Sequence, residues 1–338
     1  MRLKTVEEQV VVVFGASSGI GRETALRFAR RGAKVVAAAR TESALSSLIT
    51  EIQQFGGEAI YCVSDAADFE QVKGVADLAI QHFGRIDTWA HVAGTAVIGP
   101  FEQTTPEEFK RVIEVNLLGQ VYGAMVALPH LKREGRGALV HVTSVEARRS
   151  LPLQSSYSAS KHGVEGFLDA LRVELAHEKV PVSITNIMPG VINTPFYTKV
   201  RSRLGVQPTA VPPFYHPRIV ADAILYAAEH PVRDMIVGDV GRVLEFLQRL
   251  SPAAMDALLL AIGFKGQRTD VPRPVDTPDN LFSTVPDERV SGDQSNLVVP
   301  SFFEWLDRVP AASTLLTAAA FGAVALLVVK YSAKRNDP

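Results

Sequence analysis

The feature that most constrains this chain is a glycine-rich turn placed between a buried strand pattern and a helical pattern. Residues 10–14 are apolar and mostly β-branched, which is typical of a strand buried on both faces. The turn that follows carries Gly15, Gly19 and Gly21, and residues 22–29 then show helical periodicity. Glycines let the main chain approach a pyrophosphate, whose charge is met by N–H groups at the start of a helix. Strand, turn and helix in this order predict a dinucleotide-binding site, although a flexible turn is the simpler alternative.

A second pattern lies in the middle of the chain, where Tyr157 precedes Lys161 by four residues. On a helix this spacing puts the phenol and the ammonium on the same face. A free tyrosine loses its proton at about pH 10, and a neighbouring lysine lowers that pKa by favouring the phenolate. Ser144 precedes the tyrosine by thirteen residues, so a preceding strand can bring its hydroxyl beside the phenol. The set suits proton transfer at an alcohol or carbonyl oxygen, and the simpler alternative is a surface lysine over a helical tyrosine.

These residues together resemble the short-chain dehydrogenase/reductase family. The glycine spacing is that family's variant of the dinucleotide motif, and Ser144, Tyr157 and Lys161 fall on its catalytic serine, tyrosine and lysine. Asn116 matches the asparagine that completes the family's catalytic tetrad. The resemblance covers roughly residues 7–235 and implies a single catalytic α/β domain with a doubly wound parallel sheet, the Rossmann fold. Strand and helix patterns alternate along this region, as that fold requires.

The resemblance also implies which residues hold the cofactor. Residues 189–195 match the segment that closes on the nicotinamide, and Asp65 and Ala66 match the pair that contacts adenine. The predicted cofactor-binding residues are Gly15, Ser17, Ser18, Gly19, Ile20, Gly21, Arg40, Asp65, Ala66, Ala93, Gly94, Tyr157, Lys161, Pro189, Gly190, Val191 and Thr194. We predict no metal site.

One motif departs from the family. The family usually has Asn-Asn-Ala-Gly after its fourth strand, where this chain has His91, Val92, Ala93 and Gly94. Ala93 and Gly94 still allow close approach of the main chain, so we expect cofactor binding to survive. An unperturbed histidine titrates near neutrality, which makes His91 a candidate acid–base group. We favour instead a structural role, in which it hydrogen bonds to neighbouring main chain, and leave it out of the catalytic set.

The end of the second predicted strand bears on the choice of cofactor. Members of the family that use NAD carry an acid there, which binds the ribose 2′-hydroxyl, whereas this chain has Ala39. Arg40 follows, and a guanidinium can pair with the 2′-phosphate of NADP in a charge-assisted contact. The sequence therefore favours NADP(H), with NAD(H) left open because a surface arginine at a strand end is common.

Residues 196–217 follow the nicotinamide segment and are predicted to form a lid over the substrate. The apolar and aromatic side chains of this lid are Phe196, Tyr197, Val200, Leu204, Val206, Val211, Phe214 and Tyr215. They suit a hydrophobic alcohol or ketone, although they could equally form the ordinary underside of a lid. No residue selects among steroid, retinoid, fatty acyl and xenobiotic carbonyls.

The two motifs and the lid lead to one functional hypothesis and one alternative. We expect an NADP(H)-dependent oxidoreductase that interconverts a carbonyl and a primary or secondary alcohol, with Tyr157 as acid and base. The alternative is a catalytically silent nucleotide sensor or scaffold on the same fold. The intact tetrad argues against that alternative, because a pure binder does not need the serine, tyrosine and lysine together.

Length, charge and cysteine content bound the remaining classes. The chain has 338 residues and a net charge of −1, which gives no support to nucleic-acid binding. The single cysteine, Cys62, excludes an internal disulfide and fits a reducing compartment. The first residues show no signal pattern, so we expect the catalytic domain, residues 1–262, to be cytoplasmic. A homo-oligomer is left open.

A C-terminal extension follows the predicted catalytic domain. Residues 263–310 are rich in proline and poor in large apolar groups, which is typical of an extended linker or of a segment lying along the surface. Residues 311–329 contain no charge, and a transmembrane helix needs about 17–25 such residues. We predict a membrane-spanning helix over residues 311–331 and a basic tail at 332–338, giving a membrane protein anchored at its C-terminus. The alternative is a buried or dimer-forming helix, which usually keeps a polar face.

Overall fold

A sheet of seven strands forms the centre of the protein in its computed structural model, which describes residues 1–301. The strands are β1 (Val10–Phe14), β2 (Lys34–Ala39), β3 (Ala59–Val63), β4 (Thr88–His91), β5 (Gly137–Val142), β6 (Val182–Pro189) and β7 (Asp234–Val237). Their order across the sheet is β7-β6-β5-β4-β1-β2-β3, and every neighbouring pair is parallel. The winding direction reverses between β1 and β4, where such a sheet leaves a crevice at the carboxyl ends of its strands. This confirms the predicted doubly wound fold.

Helices cover both faces of this sheet. The α-helices of the described residues are α1 (Gly19–Arg30), α2 (Glu42–Gln54), α3 (Phe69–Phe83), α4 (Pro106–Ile113), α5 (Gly119–Arg133), α6 (Ser155–His177), α7 (Phe196–Lys199), α8 (Pro217–Glu229), α9 (Asp239–Leu250) and α10 (Pro252–Ile262). A π-helical turn, Glu114–Leu118, joins α4 to α5. Short 3-10 turns lie at Val6–Glu8, Phe101–Gln103, Val145–Ala147 and Ser295–Leu297. Two pairs of short strands outside the main sheet are Val97–Ile98 with Arg201–Ser202, and Val206–Pro208 with Arg268–Pro272.

Strand β1 shows how one apolar run supplies two cores. Val11 and Val13 pack in a core with residues of α1, α2 and α8, whereas Val12 and Phe14 pack in a second core with residues of α3, α5 and α6. All residues of β1 are buried, as expected for a central parallel strand. Successive side chains of a strand point to opposite faces, so β1 is packed on both sides. This packing fixes the carboxyl end of the strand, where the glycine turn begins.

The helices α4 and α5 run on from one another and carry Asn116 in the π-helical turn between them. Thr105 and Glu108 form a reciprocal capping box at the start of α4. From Pro106 to Arg133 the combined helix has 28 residues, and within residues 1–301 it is the one helix long and apolar enough to cross a membrane. It packs against α3, α6 and the sheet, and the core helix of a soluble protein passes the same test.

Residues 263–299 belong to the same compact unit as the sheet. Strand Arg268–Pro272 pairs with Val206–Pro208, Leu281 is fully buried, and the Arg273 guanidinium donates to main-chain carbonyls of the preceding loops. Hydrogen bonds to neighbouring loops, rather than an apolar core of its own, hold this segment against the body. The predicted membrane helix at 311–331 and the tail at 332–338 lie outside the described residues.

Candidate active site

Helix α6 carries the predicted tyrosine and lysine to the carboxyl edge of the sheet. Tyr157 and Lys161 are one turn apart, and the Lys161 Nζ lies 5.4 Å from the centre of the phenol ring. The ammonium donates to the main-chain carbonyl of Val142, the last residue of β5, at 3.1 Å. Both side chains line one cavity together with Ser144, here called the reaction cavity. The structure therefore brings the predicted serine, tyrosine and lysine together.

Ser144 follows β5 and begins the turn Val145–Ala147. Its hydroxyl accepts a hydrogen bond from the Glu146 N–H at 3.1 Å and also hydrogen bonds to Tyr157. The end of a central strand thus fixes the hydroxyl beside the phenol, as the spacing predicted.

Asn116, the fourth predicted catalytic residue, has a different position. It is fully buried, and its side-chain amide donates to the Thr95 carbonyl at 2.8 Å and accepts from the Thr95 N–H at 2.8 Å. The same amide nitrogen donates to the Ser160 hydroxyl on α6 at 3.0 Å. Asn116 therefore ties the loop after β4 to the helix that carries Tyr157, and it does not line the reaction cavity itself.

Burial controls the protonation of the tyrosine and the lysine. It raises the pKa of Tyr157 well above its ordinary value; the Glu146 carboxylate raises that pKa further, and the hydrogen bond with Ser144 lowers it. Burial also lowers the pKa of Lys161 to about 8, against the opposing effect of Glu146. The expected lowering of the tyrosine pKa is wrong here, because burial of the phenolate and the Glu146 charge outweigh the hydrogen bond with Ser144. At neutral pH the phenol keeps its proton.

Glu146 is a site residue that the sequence did not predict. It lines the reaction cavity, is 5% exposed, and accepts a hydrogen bond from the Ser158 hydroxyl at 2.7 Å. Burial raises the pKa of its carboxyl to about 7, opposed by hydrogen bonds from Ser158 and the Leu151 main chain and by the charge of Lys161. A lone glutamate after a strand carries no motif, and only the fold brings it beside Tyr157. The reaction cavity thus contains a carboxyl that changes charge near neutral pH.

The glycine turn forms a tight cradle beside β1. A Cβ on Gly15 would lie 2.5 Å from the Ala93 nitrogen, and one on Gly21 would lie 2.1 Å from the Gly15 carbonyl oxygen. Gly15 and Gly19 also have positive φ angles of 98° and 56°, which favour glycine. The turn borders a cleft, here called the nucleotide cleft, at the point where the strand order reverses.

The predicted cofactor residues line the nucleotide cleft, the reaction cavity or both. Those lining the cleft are Gly15, Ser17, Ser18, Gly19, Ile20, Gly21, Arg40, Asp65, Ala66, Ala93, Gly94 and Thr194. Those lining the reaction cavity are Ile20, Gly94, Tyr157, Lys161, Pro189, Gly190, Val191 and Thr194. The walls common to both are Ile20, Val92, Gly94, Thr194 and Phe196. The two pockets therefore adjoin.

Arg40 lies at the end of β2 and lines the nucleotide cleft. Its Nη2 donates to the main-chain carbonyl of Asn280, and its Nη1 is buried without a hydrogen-bond partner. Asp65, also in the cleft wall, pairs with Arg111 at 2.5 Å. A buried donor without an acceptor is rare in native structures, and an anionic oxygen in the cleft would satisfy it. The glycine cradle and this guanidinium together fit a dinucleotide cofactor.

The reaction cavity has largely apolar walls and a volume of about 230 Å³. Helices α9 and α10 supply Val240, Leu244, Leu258, Leu259 and Ile262. The predicted lid supplies Phe196, Tyr197 and Val211, whereas Val200 and Phe214 are fully buried beneath it. Some apolar side chains of the predicted lid therefore belong to the protein core and do not line the cavity. Part of the cavity wall comes instead from α9 and α10, which the sequence did not assign to the site.

His91 has a structural position in β4. It has no exposed surface, its ring stacks on Phe14 with centres 4.9 Å apart, and its Nδ1 accepts from Trp89 Nε1 at 3.5 Å. Burial holds its pKa well below the ordinary range, and His141 and Lys161 act in the same direction. The imidazole is therefore neutral and packs in the sheet, although its partner is a tryptophan side chain and not the expected main chain. Within residues 1–301, no group of three or more histidine, cysteine and carboxylate side chains is placed to hold a metal.

A glycine cradle at the reversal point of a doubly wound sheet, next to a serine, tyrosine and lysine, defines a nucleotide-dependent oxidoreductase. A family model described as short chain dehydrogenase matches residues 9–205, which is more than half of the chain. The protein belongs to the short-chain dehydrogenase/reductase family and is an NAD(P)-dependent oxidoreductase that acts on a small molecule.

Two curated relatives align with most of the chain. An uncharacterised oxidoreductase of Bacillus subtilis, YxnA, is 40% identical over 274 residues, which cover 80% of this chain and 77% of the relative. Dehydrogenase/reductase SDR family member 7B of Bos taurus is 31% identical over 275 residues, which cover 78% of this chain and 84% of the relative. The similarity therefore extends beyond the matched family region in both cases.

Two solved structures share the fold. An alcohol dehydrogenase from the archaeon Thermococcus sibiricus, complexed with 5-hydroxy-NADP, superposes with a TM-score of 0.60 at 26% identity and covers 68% of this chain and 95% of its own. A 3-ketoacyl-ACP reductase from Sinorhizobium meliloti gives a TM-score of 0.61 at 28% identity and covers 68% of this chain and 96% of its own. Each superposition therefore leaves about a third of this chain uncovered.

Proposed function

We propose that this protein interconverts a carbonyl and an alcohol on an apolar small molecule, uses NADP(H), and employs Tyr157 as acid and base. The main support for the proposal is that the nucleotide cleft and the reaction cavity adjoin. One pocket holds the glycine cradle, the other holds Tyr157, and they share Gly94 and Thr194 as walls. A nucleotide in the first pocket and a small molecule in the second would therefore meet beside the phenol.

The roles of the residues follow from their positions. When bound, the nicotinamide supplies the hydride chemistry. Tyr157 keeps its proton at neutral pH because burial raises its pKa, so it can donate that proton to a carbonyl oxygen in reduction. In oxidation the ionised form of the same phenol accepts the proton of the alcohol. Ser144, hydrogen bonded to Tyr157, orients the same oxygen. The Lys161 ammonium, fixed by the Val142 carbonyl, stabilises the phenolate that forms when the proton leaves.

Asn116 acts through its neighbours. Family resemblance places it in the catalytic tetrad, and its observed bonds are to Thr95 and Ser160. We propose that it positions the wall shared by the two pockets, because a Cβ on Gly94 would lie 3.6 Å from both the Asn116 Oδ1 and the Lys161 Nζ.

The preference for NADP(H) is supported by the end of β2. Ala39 places no carboxylate there that would repel a 2′-phosphate. The Nη1 of Arg40 is buried and has no hydrogen-bond acceptor. A phosphate oxygen would accept a charge-assisted hydrogen bond from that nitrogen. The solved alcohol dehydrogenase bound to 5-hydroxy-NADP shows that a relative on this fold takes a 2′-phosphorylated nucleotide.

The proposed substrate is apolar with one polar end. Apolar side chains of α9, α10 and the lid form most of the reaction cavity, which favours a hydrocarbon or ring body. Glu146, Gln154 and Gln267 supply polar groups in the same cavity. These groups suit a hydroxyl or another hydrogen-bonding substituent carried by the apolar body.

Replacement of the tyrosine tests the proposed mechanism. In Tyr157→Phe the ring is kept and the proton donor is lost, so kcat for ketone reduction should fall by about a hundredfold or more, with NADPH affinity little changed. Tyr226→Phe is the matched control, because Tyr226 lies on α8 and is 47% exposed. The assay is NADPH oxidation with a panel of apolar ketones and aldehydes. Near wild-type turnover of the Tyr157 variant would refute the role of the phenol.

The place of action is also part of the proposal. Residues 311–331 lie outside the described part of the chain, and the lack of charge over residues 311–329 supports a C-terminal membrane anchor. Such an anchor would hold the reaction cavity at a surface where apolar substrates are concentrated.

A further inference from the structure

Residues 279–293, here called the strap, pass along the nucleotide cleft. Asn280, Thr284 and Val285 line the cleft together with the glycine turn and Arg40. The strap lies outside residues 9–205, the region that matches the family. This wall of the cleft therefore comes from residues outside the region that the family model matches.

The first end of the strap is fixed at Asn280. Its main-chain carbonyl accepts from the Arg40 Nη2, and its N–H donates to the Lys199 carbonyl at 2.8 Å. Its side-chain Oδ1 accepts from the Thr95 hydroxyl at 2.7 Å. The strap therefore orients the guanidinium that we propose for the 2′-phosphate, and leaves its Nη1 without a partner.

The second end is fixed at the glycine turn. The Arg289 carbonyl accepts from the Gly19 N–H at 3.0 Å. The Lys199 ammonium donates to the Asp287 carbonyl at 2.7 Å and to the Ser18 hydroxyl at 2.9 Å. Ser18 and Gly19 begin α1, whose first N–H groups are the expected partners of a pyrophosphate. Both ends of the strap thus contact residues expected to hold phosphates.

Between Leu281 and Val290 the strap is largely exposed. Phe282 is 53% exposed, and Ser283 and Thr284 are exposed as well. Leu281 packs in a small apolar cluster with Val97 and Val112, and Val290 packs against the main core. The exposed residues between these two can therefore move without taking either of them out of its apolar contacts. The part of the strap from Phe282 to Arg289 therefore has the construction of a cover that can move while the sheet stays in place.

We propose that the strap is a cover that encloses a bound NADP(H) and opens to exchange it. A nucleotide in the cleft is bounded by the glycine turn, by Arg40 and by strap residues Asn280 and Val285. Its binding holds the strap closed, because the same Arg40 contacts both, and its release requires the strap to lift. This inference rests on the proposed cofactor site. It implies that opening of the strap sets the rate at which the cofactor is exchanged.

Limited trypsin digestion of the full chain gives the first test. Arg289 is the one lysine or arginine between Arg273 and Arg308, so cleavage after it reports opening of the strap. NADPH should slow that cleavage far more than cleavage after Lys179, an exposed residue at the opposite edge of the sheet. Mass spectrometry of the fragments separates the two cuts. Equal slowing of both would show general stabilisation and overturn the cover.

A matched pair of glycine variants gives the second test. A Cβ on Gly292 would lie 2.4 Å from the Thr194 carbonyl oxygen, so Gly292→Ala pushes the second end of the strap away from the body. Gly74→Ala on α3 is the control, because a Cβ there meets nothing within 4 Å. We expect NADPH release, measured by stopped-flow fluorescence after a chase with NADP⁺, to be about tenfold faster in the Gly292 variant only, since affinity changes within one site fall mostly on dissociation.

The outcomes separate this inference from the proposed function. A protein that binds NADPH, but whose Gly292→Ala variant releases it at the wild-type rate and is cleaved at the wild-type rate, overturns the cover and leaves the cofactor site standing. A protein whose NADPH fluorescence and melting temperature do not respond to the nucleotide at all overturns both.

Discussion

At the scale of single residues, the charge state of Tyr157 depends on groups that act in opposite directions. Burial and the Glu146 carboxylate raise the pKa of the phenol, and the hydrogen bond with Ser144 lowers it. The pKa of Glu146 is itself raised to about 7, so its charge is present above that pH and lost below it. Glu146 also faces Lys161 and Tyr197, whose pKa values it raises. The charge on this one carboxyl therefore affects the pKa values of Tyr157, Lys161 and Tyr197, and that charge itself changes with pH.

A glutamine at position 146 should shift the pH dependence of alcohol oxidation. Oxidation needs the ionised phenol as base, and Glu146→Gln removes a negative charge that raises the Tyr157 pKa while keeping the acceptor for Ser158. The acid limb of kcat/KM for oxidation should therefore move to lower pH. Glu178→Gln is the control, because that glutamate is exposed and pairs with Lys132 at 2.8 Å. An unmoved limb in the Glu146 variant would show that its charge does not reach the phenol.

The cofactor preference should depend on Arg40. Arg40→Asp replaces a buried donor with a carboxylate at the site proposed for the 2′-phosphate, so the ratio of kcat/KM for NADPH over NADH should fall by about tenfold or more. Arg30→Asp is the matched control, since Arg30 is half exposed at the end of α1. An unchanged ratio for the Arg40 variant would mean that another residue recognises the 2′-position.

Residue spacing was enough to predict most of the candidate site. Tyr157 and Lys161 are local to one helix, and the glycines are local to one turn, so their proximity follows from secondary structure alone. Glu146 and Asn280 could not be found in this way. Their importance comes from contacts with Tyr157 and Arg40 that exist only once distant segments are packed together.

At the scale of structural elements, the glycine turn shows how close packing restricts which residues a position can hold. β1, the turn and α1 meet the end of β4 so closely that Gly15 contacts Ala93 and Gly21 contacts Gly15. The helix α6, in contrast, tolerates variation at positions that face away from the site, such as Gly166, where a Cβ meets nothing within 4 Å.

Alanine substitutions at two glycines should therefore have opposite effects. In Gly21→Ala the Cβ would lie 2.1 Å from a main-chain oxygen, so the free energy of unfolding should fall by about 1–3 kcal/mol and NADPH binding should weaken. In Gly166→Ala, within α6, it should rise by about 0.5–1 kcal/mol. Urea denaturation monitored by circular dichroism measures both. A Gly21 variant as stable as the wild type would show that the turn can relax without cost.

At the scale of the whole molecule, the sequence predicted the fold well, but it did not show that the compact unit continues to residue 299. Alternating strand and helix patterns defined the doubly wound sheet, because each element buries an apolar face of its own. The segment 263–299 has few such residues, and the strap within it is held by bonds such as Arg289 to Gly19 and Asn280 to Thr95. Hydrogen bonds of this kind leave no periodic pattern, so composition alone left two interpretations of that segment open.

The predicted membrane anchor is tested on the whole chain. Residues 1–299 form a compact unit that contains both pockets, so a protein ending at Arg308 should stay in the supernatant and still bind NADP(H). The full-length protein should pellet with membranes and resist high salt and alkaline carbonate, since these release electrostatically bound proteins but not an inserted helix. Phe321→Lys is the matched control, because a lysine near the centre of residues 311–331 costs about 2.5–3.5 kcal/mol on insertion and should release the chain. Full-length protein that alkaline carbonate extracts would exclude the anchor. A soluble full-length dimer that becomes monomeric on truncation would instead support a dimer-forming helix.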